Sequence, residues 1–511
     1  MARWLPPARD GPRCMLRAVQ AAGPPTPLVT PPAVRRRPPV RPAIRAAIPL
    51  VLGVAIALVP APEGLSSNAW LFFALFVAVI AGIITEPIAP AAIGLMGVLV
   101  AAGTGLVRET PGSSAQWALS GFANPAVWLI FAAYMLTLGY NVTGLGKRVA
   151  LQLVRVMGHR TLGLGYALTL ADLVLAPVTA SATARSGGTI YPVVRHIPEL
   201  YDSRPDDESR RRIGSYLLYT AMAASFVTSS MFITSLAPHA LAISIIDSTI
   251  GVRITWGQWF LGFAPVGALL LAVTPLVIYW LHPPEIRSSP EVPRWAAEEL
   301  RALGPMRGRE VTLLVLVLLA LALWIGATSW LEPALAAVGV VLLMVVFRVV
   351  TWDEVVGHAG AWNVLIWFAT LVTMASGLAE TKFTDWIGGA LAPLFAGLGF
   401  YPSVIGLVGA FFFLHYCFAS VTAHTATLLP IFLAIALTVP GASPVTWALL
   451  LGYSLGLMGV LTSYGAGQNV IYYGSGYITR KDFWRLGLVM GVLFLVVYLA
   501  VIVPWLRVLG Y

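Results

Sequence analysis

The chain has 511 residues, of which 58% are hydrophobic and only 11% are charged, and its formal net charge is +10. Soluble domains carry about 25% charged residues, so this composition excludes a soluble protein and predicts an all-α polytopic membrane protein. The basic residues lie mostly between apolar runs, which argues against a nucleic-acid-binding patch. Cys14 and Cys417 lie in a tail and in an apolar run, so neither a disulfide nor a metal site is expected.

The first 44 residues differ in composition from the rest of the chain. They are rich in proline and arginine, nearly free of acidic residues, and lack the apolar core of a secretory signal. We predict that residues 1–45 form a disordered basic tail in the cytoplasm. The alternative is that the start codon has been placed too far upstream.

Apolar runs that could cross a bilayer occupy most of the remaining sequence. Since a spanning helix needs about 20 such residues, we predict about eleven transmembrane helices. They lie near residues 46–62, 69–87, 90–107, 122–143, 215–247, 258–281, 311–329, 332–350, 360–381, 446–477 and 485–507.

Two further apolar segments, 161–197 and 400–438, are interrupted by polar residues. We predict that each is a re-entrant hairpin that enters the membrane and returns on the same side, because non-helical backbone at that depth must line a cavity or be buried in protein. The chain then divides into a first half (46–281), a cytoplasmic linker (282–310) and a second half (311–511).

Lysine and arginine are distributed unevenly over the predicted loops. With the N-terminus in the cytoplasm, only Arg108, Arg253, Lys382 and Arg507 fall outside, and Arg185 falls inside the first hairpin. This asymmetry follows the positive-inside rule and places the C-terminus outside.

The two interruptions share one pattern of polar residues. "TASATARSGG" (179–188) contains Ser181-x-Thr183-Ala184-Arg185, and "SVTAHT" (420–425) contains Ser420-x-Thr422-Ala423-His424. Spans before the hairpins and Thr-Ser pairs after them also recur in the same order. An odd number of crossings separates the copies, so the second is inverted, and inverted repeats with broken helices are typical of secondary transporters with a substrate site at the midplane.

Hydroxyl groups at the two hairpin tips point to an anion site. Ser181, Thr183, Ser420 and Thr422 can donate and accept hydrogen bonds, and the helix termini there favour an anion. Two facing tips suit a molecule with two carboxylates. The alternative is that these hydroxyls only bond back to helix carbonyls.

The basic residue of each pattern has two interpretations. Arg185 is expensive at membrane depth and therefore a candidate for function. It would neutralise a carboxylate or replace a bound cation, unless it only pairs with Asp172. His424 would titrate during transport or serve as a structural hydrogen-bonding residue.

Two spans contain residues that favour open backbone. "TSLAPHALA" (234–242) includes Pro238, which interrupts a helix. "TSYGAGQNVIYYGSGYI" (462–478) is rich in glycine, and Gln468 and Asn469 lie there as polar candidates for substrate contact. Free carbonyls in these segments would suit Na⁺.

These strings together resemble the divalent anion:sodium symporter family. The similarity runs from about residue 46 to the end and is carried by "GFANPAVWLIFAAYMLTLGY", "LAPVTASATARSGGTIYPVVRHIP", "TSSMFITSLAPHALA", "SVTAHTATLLPIFLA" and "GSGYITRKDFWRLG". The chain is most similar to the branch of citrate/succinate, tartrate/succinate and oxoglutarate/malate translocators.

The resemblance implies an elevator-type transporter that forms a homodimer. It also implies that Ser-Asn-Thr motifs at the hairpin tips bind carboxylates and line sodium sites, which here would lie near Ser181, Ala237, Ser420 and Gly465. The candidate substrate-binding residues are Ser181, Ala182, Thr183, Ser420, Val421, Thr422, Ser235, Pro238, Ser463, Gly465, Ala466 and Gly467.

Three positions depart from the family pattern. Ala182 replaces the motif asparagine, Val421 takes the matching position of the second motif, and His239 stands where relatives have asparagine. Lost polar ligands weaken a sodium site as well as a carboxylate contact, at roughly 1.5–3 kcal/mol for each charge-assisted hydrogen bond.

We therefore predict a carrier of C4 to C6 di- or tricarboxylates in the bacterial inner membrane. Anion exchange is favoured over sodium symport, because the basic residues lie beside tips that lack the asparagine. Na⁺ is the only cofactor to consider. A passive anion channel is a weaker alternative, since channels seldom need paired tips. An enzyme is not expected, and "GYSLG" (452–456) is interpreted as small-residue helix packing.

Overall fold

The computed structural model describes residues 42–395, 397–441 and 443–511. All regular elements in these residues are helices, and the β-type pairing among them is one isolated bridge between Arg160 and Ser288. The predicted all-α fold is confirmed. The predicted N-terminal tail lies almost entirely outside the described residues.

The first half of the chain forms eleven α-helices and ends with a long apolar one. They are α1 (Pro42–Leu58), α2 (Ser67–Thr85), α3 (Pro90–Gly103), α4 (Pro111–Ser120), α5 (Pro125–Thr143), α6 (Leu145–Met157), α7 (Thr161–Leu175), α8 (Tyr191–Val194), α9 (Gly214–Met231), α10 (Ala237–Ile250) and α11 (Trp256–Leu281). A π-helix, Thr183–Ile190, lies between α7 and α8.

The linker and the second half continue the helical pattern. They form α12 (Glu291–Leu303), α13 (Gly308–Gly326), α14 (Pro333–Val346), α15 (Trp352–Gly357), α16 (Ala359–Glu380), α17 (Phe383–Leu391), α18 (Phe400–Phe413), α19 (Val421–Ala436), α20 (Pro444–Leu457), α21 (Gly467–Gly474) and α22 (Arg480–Val508).

Two predicted spans are each built from two helices. Helix α9 ends at Met231 and α10 begins at Ala237, with Pro238 in its first turn, where the missing N–H costs nothing. In the second half, α20 ends at Leu457 and α21 begins at Gly467. The predicted interruption of both spans is confirmed, and residues 215–247 and 446–477 are not continuous helices. The predicted unwound segments 234–242 and 462–478 are shorter than expected, because α10 covers 237–242 and α21 covers 467–474.

Both predicted hairpins contain the expected break. The first joins α7 to the π-helix through non-helical residues near 179–182, and the second joins α18 to α19 near Phe418–Ser420. Nine helical segments of the described residues are long and apolar enough to cross a membrane, and these include Thr161–Val178 and Phe400–Cys417. Re-entry of the hairpins and the count of about eleven crossings therefore stay predictions.

The helices that precede the two breaks form the centre of the bundle. Every residue of α9 is buried, and so is α20 from Thr446 onward, as expected for helices surrounded by protein. Ser230 of α9 donates to the Tyr453 carbonyl at 3.1 Å. A Cβ on Gly456 would lie 2.1 Å from the Ser230 hydroxyl, so "GYSLG" serves close helix packing, as predicted.

Candidate anion site at the two hairpin tips

The first tip contains an unusual helix that begins within the repeated pattern. Ser181 accepts a hydrogen bond from the Ala184 backbone N–H at 3.2 Å, so it caps the segment that follows. The π-helix over Thr183–Ile190 comes next. π-Helical turns are rare and concentrate at functional sites, because they misalign the backbone groups that an α-helix would pair.

Arg185 lies at the centre of the first tip and is fully buried. Its Nε is 3.0 Å from Oδ2 of Asp172, whose side chain is also buried. Ser229 and Thr228 of α9 accept from the same guanidinium at 2.8 and 3.3 Å. The pairing with Asp172, which the sequence left open, is present in the structure.

Three backbone carbonyls complete the environment of Arg185. The Thr179 carbonyl, at the tip, accepts from Nη1 at 3.1 Å, and the Ser235 carbonyl, at the first break, accepts from the same atom at 3.0 Å. The Ser225 carbonyl of α9 accepts from Nη2 at 3.5 Å. A guanidinium therefore satisfies carbonyl oxygens from the tip and the break together. Those oxygens are of the kind that the predicted sodium site beside Ser181 and Ala237 would use.

The second tip starts a regular α-helix instead. Ser420 is the N-cap of α19 and accepts from the Ala423 N–H at 3.4 Å. Val421 and Thr422 are buried next to it. Both serines of the repeated pattern thus cap a helix N-terminus, where backbone N–H groups favour an anion.

The threonines of the pattern do not bond back to their helices. Thr425 and Thr427 donate to carbonyls four residues earlier, at 2.8 and 2.7 Å. The Thr422 hydroxyl makes no hydrogen bond within the described residues. The Thr183 hydroxyl makes only a 3.5 Å contact with the Gln468 side chain there. The alternative, that the hydroxyls only bond to carbonyls of their own helix, therefore applies to Thr425 and Thr427 and not to Thr183 and Thr422.

His424 is the residue of the second pattern that corresponds to Arg185, but it forms no ion pair in the described residues. It is fully buried, and neither ring nitrogen has a hydrogen-bond partner within that part of the chain. Its ring lies 4.5 Å from Phe411, 5.0 Å from Phe418 and 5.4 Å from His415, measured between centroids. The imidazole is enclosed by other rings.

The first tip touches the breaks of both halves. The Ala237 N–H donates to the Ala180 carbonyl at 2.9 Å. On the other side, a Cβ on Gly467 would lie 2.4 Å from the Thr183 hydroxyl, so only a glycine fits at that position. The structure therefore brings together the first tip and both breaks.

The second tip touches the second break. His415, in the turn after α18, has Nε2 3.1 Å from the Gly465 carbonyl, and α19 packs against α10 of the first half. No hydrogen bond joins the two tips directly in the described residues. Each tip instead contacts a break, and the breaks lie between the two tips.

Several predicted site residues have local roles. Ser235 is fully buried and its hydroxyl donates to the Ser229 carbonyl at 2.5 Å. The Asn469 amide donates to the Gly459 and Thr462 carbonyls at 2.7 and 2.5 Å and so fixes the second break. By contrast, Ser181, Thr183, Ser420, Ser463 and Ala466 are half-buried, Gly467 is exposed, and Ala182, Pro238 and Gly465 are buried.

Sequence reasoning named Asp172 but missed the hydroxyl partners of Arg185 and the ring neighbours of His424. Thr228 and Ser229 lie in the quoted string "TSSMFITSLAPHALA", but nothing in the pattern assigns them to Arg185. His415 has no counterpart in the first tip and no spacing signal that singles it out. Among the described residues there is no group of three or more His, Cys, Asp or Glu side chains suited to a metal ion.

Comparison with known proteins places this architecture in context. The family model described as "Sodium:sulfate symporter transmembrane region" matches residues 42–511. The chain is 43% identical over 472 residues to an L-tartrate/succinate antiporter of Shigella sonnei (strain Ss046), covering 90% of this chain and 97% of that protein. The corresponding antiporter of Escherichia coli (strain K12) is 42% identical over 472 residues, with the same coverage.

Two solved structures share the fold. The Alcanivorax borkumensis YdaH transporter superposes with a TM-score of 0.53 at 14% identity, covering 92% of this chain and 97% of that one. Neisseria gonorrhoeae MtrF, described as illuminating a class of antimetabolite efflux pumps, gives 0.52 at 14% identity, covering 96% and 97%. At this identity the likeness concerns the fold alone.

Proposed function

This chain belongs to the sodium:sulfate symporter family, and from that membership we propose that it exchanges small dicarboxylates of the succinate and tartrate class across a membrane. The relatives that cover 90% of the chain at 42–43% identity are L-tartrate/succinate antiporters. The protein is a multi-pass membrane transporter and not an enzyme. Its bacterial relatives support a location in the inner membrane.

The observation that carries exchange over sodium symport is the position of Arg185. Its guanidinium donates to the Thr179 carbonyl of the tip and to the Ser235 carbonyl of the break, at 3.1 and 3.0 Å. A side-chain cation cannot be released with the substrate. The guanidinium and its Asp172 partner therefore stay in the protein as an ion pair, and these carbonyls need no dissociable cation in the empty carrier, which favours return with another anion.

Substrate carboxylates would bind at the two capped helix termini. Thr183 and Thr422 retain hydroxyl groups without a full hydrogen-bond complement in the described residues, and the capping serines hold the adjacent N–H groups in place. Each tip then offers hydroxyl and N–H donors to one carboxylate. Ala182 and Val421 contribute shape but no polar contact, so recognition relies on these hydroxyls and the backbone.

The remaining features follow the family and the charge distribution. Hairpins 161–197 and 400–438 re-enter the membrane, the N-terminus faces the cytoplasm and the C-terminus faces outside, as the arginine asymmetry favours. The protein forms a homodimer, and the tips and breaks move together as a unit past the other helices. Na⁺ is not required, because Arg185 replaces it at the first tip.

Uptake of radiolabelled succinate into proteoliposomes tests the proposal. We expect uptake only when the vesicles contain unlabelled succinate or tartrate, with the same rate in sodium and in choline. Uptake that needs a sodium gradient and ignores internal dicarboxylate would contradict exchange. A flux that rises linearly with succinate, without saturation, would indicate a channel instead.

A further inference from the structure

A cavity of about 830 Å³ lies beside the first hairpin, away from the tips. It is formed by α6, α12 and the beginning of α13, and Val174 of α7 reaches it. Its walls are largely aliphatic. The side chains that form them are Leu145, Val149, Leu153, Val174, Leu300 and Leu314.

Three arginines lie around this cavity, and they are not equivalent. Arg148 is neutralised by Glu310, with its Nε 2.6 Å from Oε2 and its Nη2 3.2 Å from Oε1. Arg155 and Arg301 are exposed, and neither has a carboxylate partner within the described residues. The cavity therefore carries two uncompensated positive charges next to its apolar walls.

The apolar walls continue onto surface that faces outward. Val174 is 55% exposed, Met306 42% and Leu314 38%. Val174 and Leu314 belong to helices long and apolar enough to cross a membrane. Such surface is costly against water but suits acyl chains, so the cavity opens toward lipid at one side and toward arginines at the other.

We propose that this cavity binds an anionic phospholipid. Its phosphate lies between Arg155 and Arg301, and its acyl chains cover the aliphatic wall that includes Val174 and Leu314. Basic pockets between membrane helices bind anionic head groups in this manner, and arginine matches phosphate geometry better than lysine does. A free phosphate would leave the apolar wall unused, so the charge and the wall together favour a lipid.

The bound lipid would connect a moving and a fixed part of the molecule if the first hairpin travels. Val174 lies on the hairpin helix α7, whereas Leu314 lies on α13 of the other half. The lipid site itself does not depend on which anion is transported. Its test can therefore be carried out without a transport assay.

The experiment is a titration of the purified full chain with cardiolipin, with bound lipid measured by native mass spectrometry. Because a Lys or Arg near an anionic lipid surface contributes about 1 kcal/mol, each charge changes affinity about fivefold. We expect Arg155→Gln/Arg301→Gln to weaken cardiolipin binding roughly 25-fold. Arg294→Gln, which removes one exposed charge from α12 outside the cavity, should bind like the parent, whereas each of the two cavity charges is expected to change the affinity about fivefold.

Two results would overturn the proposal. One is that the double variant binds cardiolipin as tightly as the parent, or that Arg294→Gln loses as much. The other is that inorganic phosphate displaces cardiolipin from the parent at an equal phosphate concentration, which would make it a phosphate site without acyl contacts. All three arginines are exposed, so each variant should fold like the parent. Melting temperatures in lipid-free detergent check this.

Discussion

At the first hairpin tip, the basic residue of the repeated pattern is charged and fully hydrogen-bonded, whereas at the second tip it is an imidazole with no partner in the described residues. Arg185 has Asp172, two hydroxyls and three carbonyls around it. His424 has aromatic rings around it. One sequence pattern has thus produced an ion-paired, hydrogen-bonded residue at one tip and an imidazole enclosed by rings at the other.

The difference predicts which tip stays fixed and which can adapt. A buried arginine without its partners would cost several kcal/mol, so we expect the Arg185–Asp172 pair to persist through the proposed exchange. His424 has no such partners to lose in the described residues. We therefore predict that the first tip stays fixed and that the second tip responds to the anion.

The largest effect should come from removing the charge at the first tip. Arg185→Gln leaves Asp172 as an unpaired buried carboxylate, which costs about 3–5 kcal/mol. We expect a large fall in melting temperature and no succinate exchange. Thermal unfolding in detergent and proteoliposome uptake measure the two effects.

A double variant separates stability from function at the same site. Asp172→Asn/Arg185→Gln contains no unpaired charge, so it should recover much of the melting temperature. Exchange should stay absent, because the fixed cation is missing. Exchange at the parent rate in the double variant would show that Arg185 only balances Asp172, and the division between the tips would be wrong.

Removing the threonine hydroxyl of either tip should have a smaller effect on exchange, and the effect should be similar at the two tips. Thr183→Val and Thr422→Val each remove a charge-assisted hydrogen bond to a carboxylate, worth roughly 1.5–3 kcal/mol. The KM for succinate should rise about tenfold or more in both variants. Thr427→Val is the control, since its hydroxyl donates to the Ala423 carbonyl at 2.7 Å and its KM should not change.

The result would locate the substrate relative to the two tips. Equal increases in KM mean that the dicarboxylate bridges them. An increase in Thr183→Val alone would place both carboxylates at the first tip and leave the second tip without a role in binding.

At His424 we expect function to change while stability does not. His424→Leu removes two buried nitrogens that have no partner in the described residues, which should leave the melting temperature unchanged or slightly higher. The KM for succinate should rise about fivefold, as for one neutral hydrogen bond of about 1 kcal/mol. The control Thr425→Val removes a back-bonded hydroxyl on the same helix. An unchanged KM in His424→Leu would make the imidazole a packing residue.

The sequence predicted the fold class and both breaks. These follow from apolar periodicity and from a repeated phrase, which are local signals. It could not decide between the two interpretations of Arg185, because the outcome depends on Thr228 and Ser229 of α9 and on the Ser235 carbonyl. Those groups lie more than 40 positions away and carry no pattern of their own.

The second tip also contains a contact that the sequence could not predict. His415 and His424 come within 5.4 Å because α18 and α19 fold back on each other. Nothing in their spacing requires it. The backbone contact between Gly467 and Thr183 is likewise a tertiary fit, although the glycine-rich composition of residues 465–476 did indicate open backbone.

A titratable histidine far from the tips must be separated from His424 before pH is used to compare them. His282 follows the last residue of α11, and its Nε2 lies 2.6 Å from the hydroxyl of Ser215. Its pKa is lowered to about 4, mainly because the ring is buried, with Asp482 acting in the opposite direction. Three nearby arginines contribute to the lowering: Arg211, Arg485 and Arg210.

The smallest predicted effect is the pH dependence that His282 gives to stability. Because its pKa is lower in the folded than in the unfolded chain, the unfolded state binds the proton more readily between pH 6.5 and about 4. Stability is therefore fully present above pH 6.5 and is lost as the pH falls, by on the order of 1–2 kcal/mol. His282→Gln should flatten the melting temperature over that range and leave succinate exchange unchanged. If the acid-induced loss of stability persists in His282→Gln and disappears in His424→Leu, the titrating group lies at the second tip, and that tip is the electrostatically responsive one.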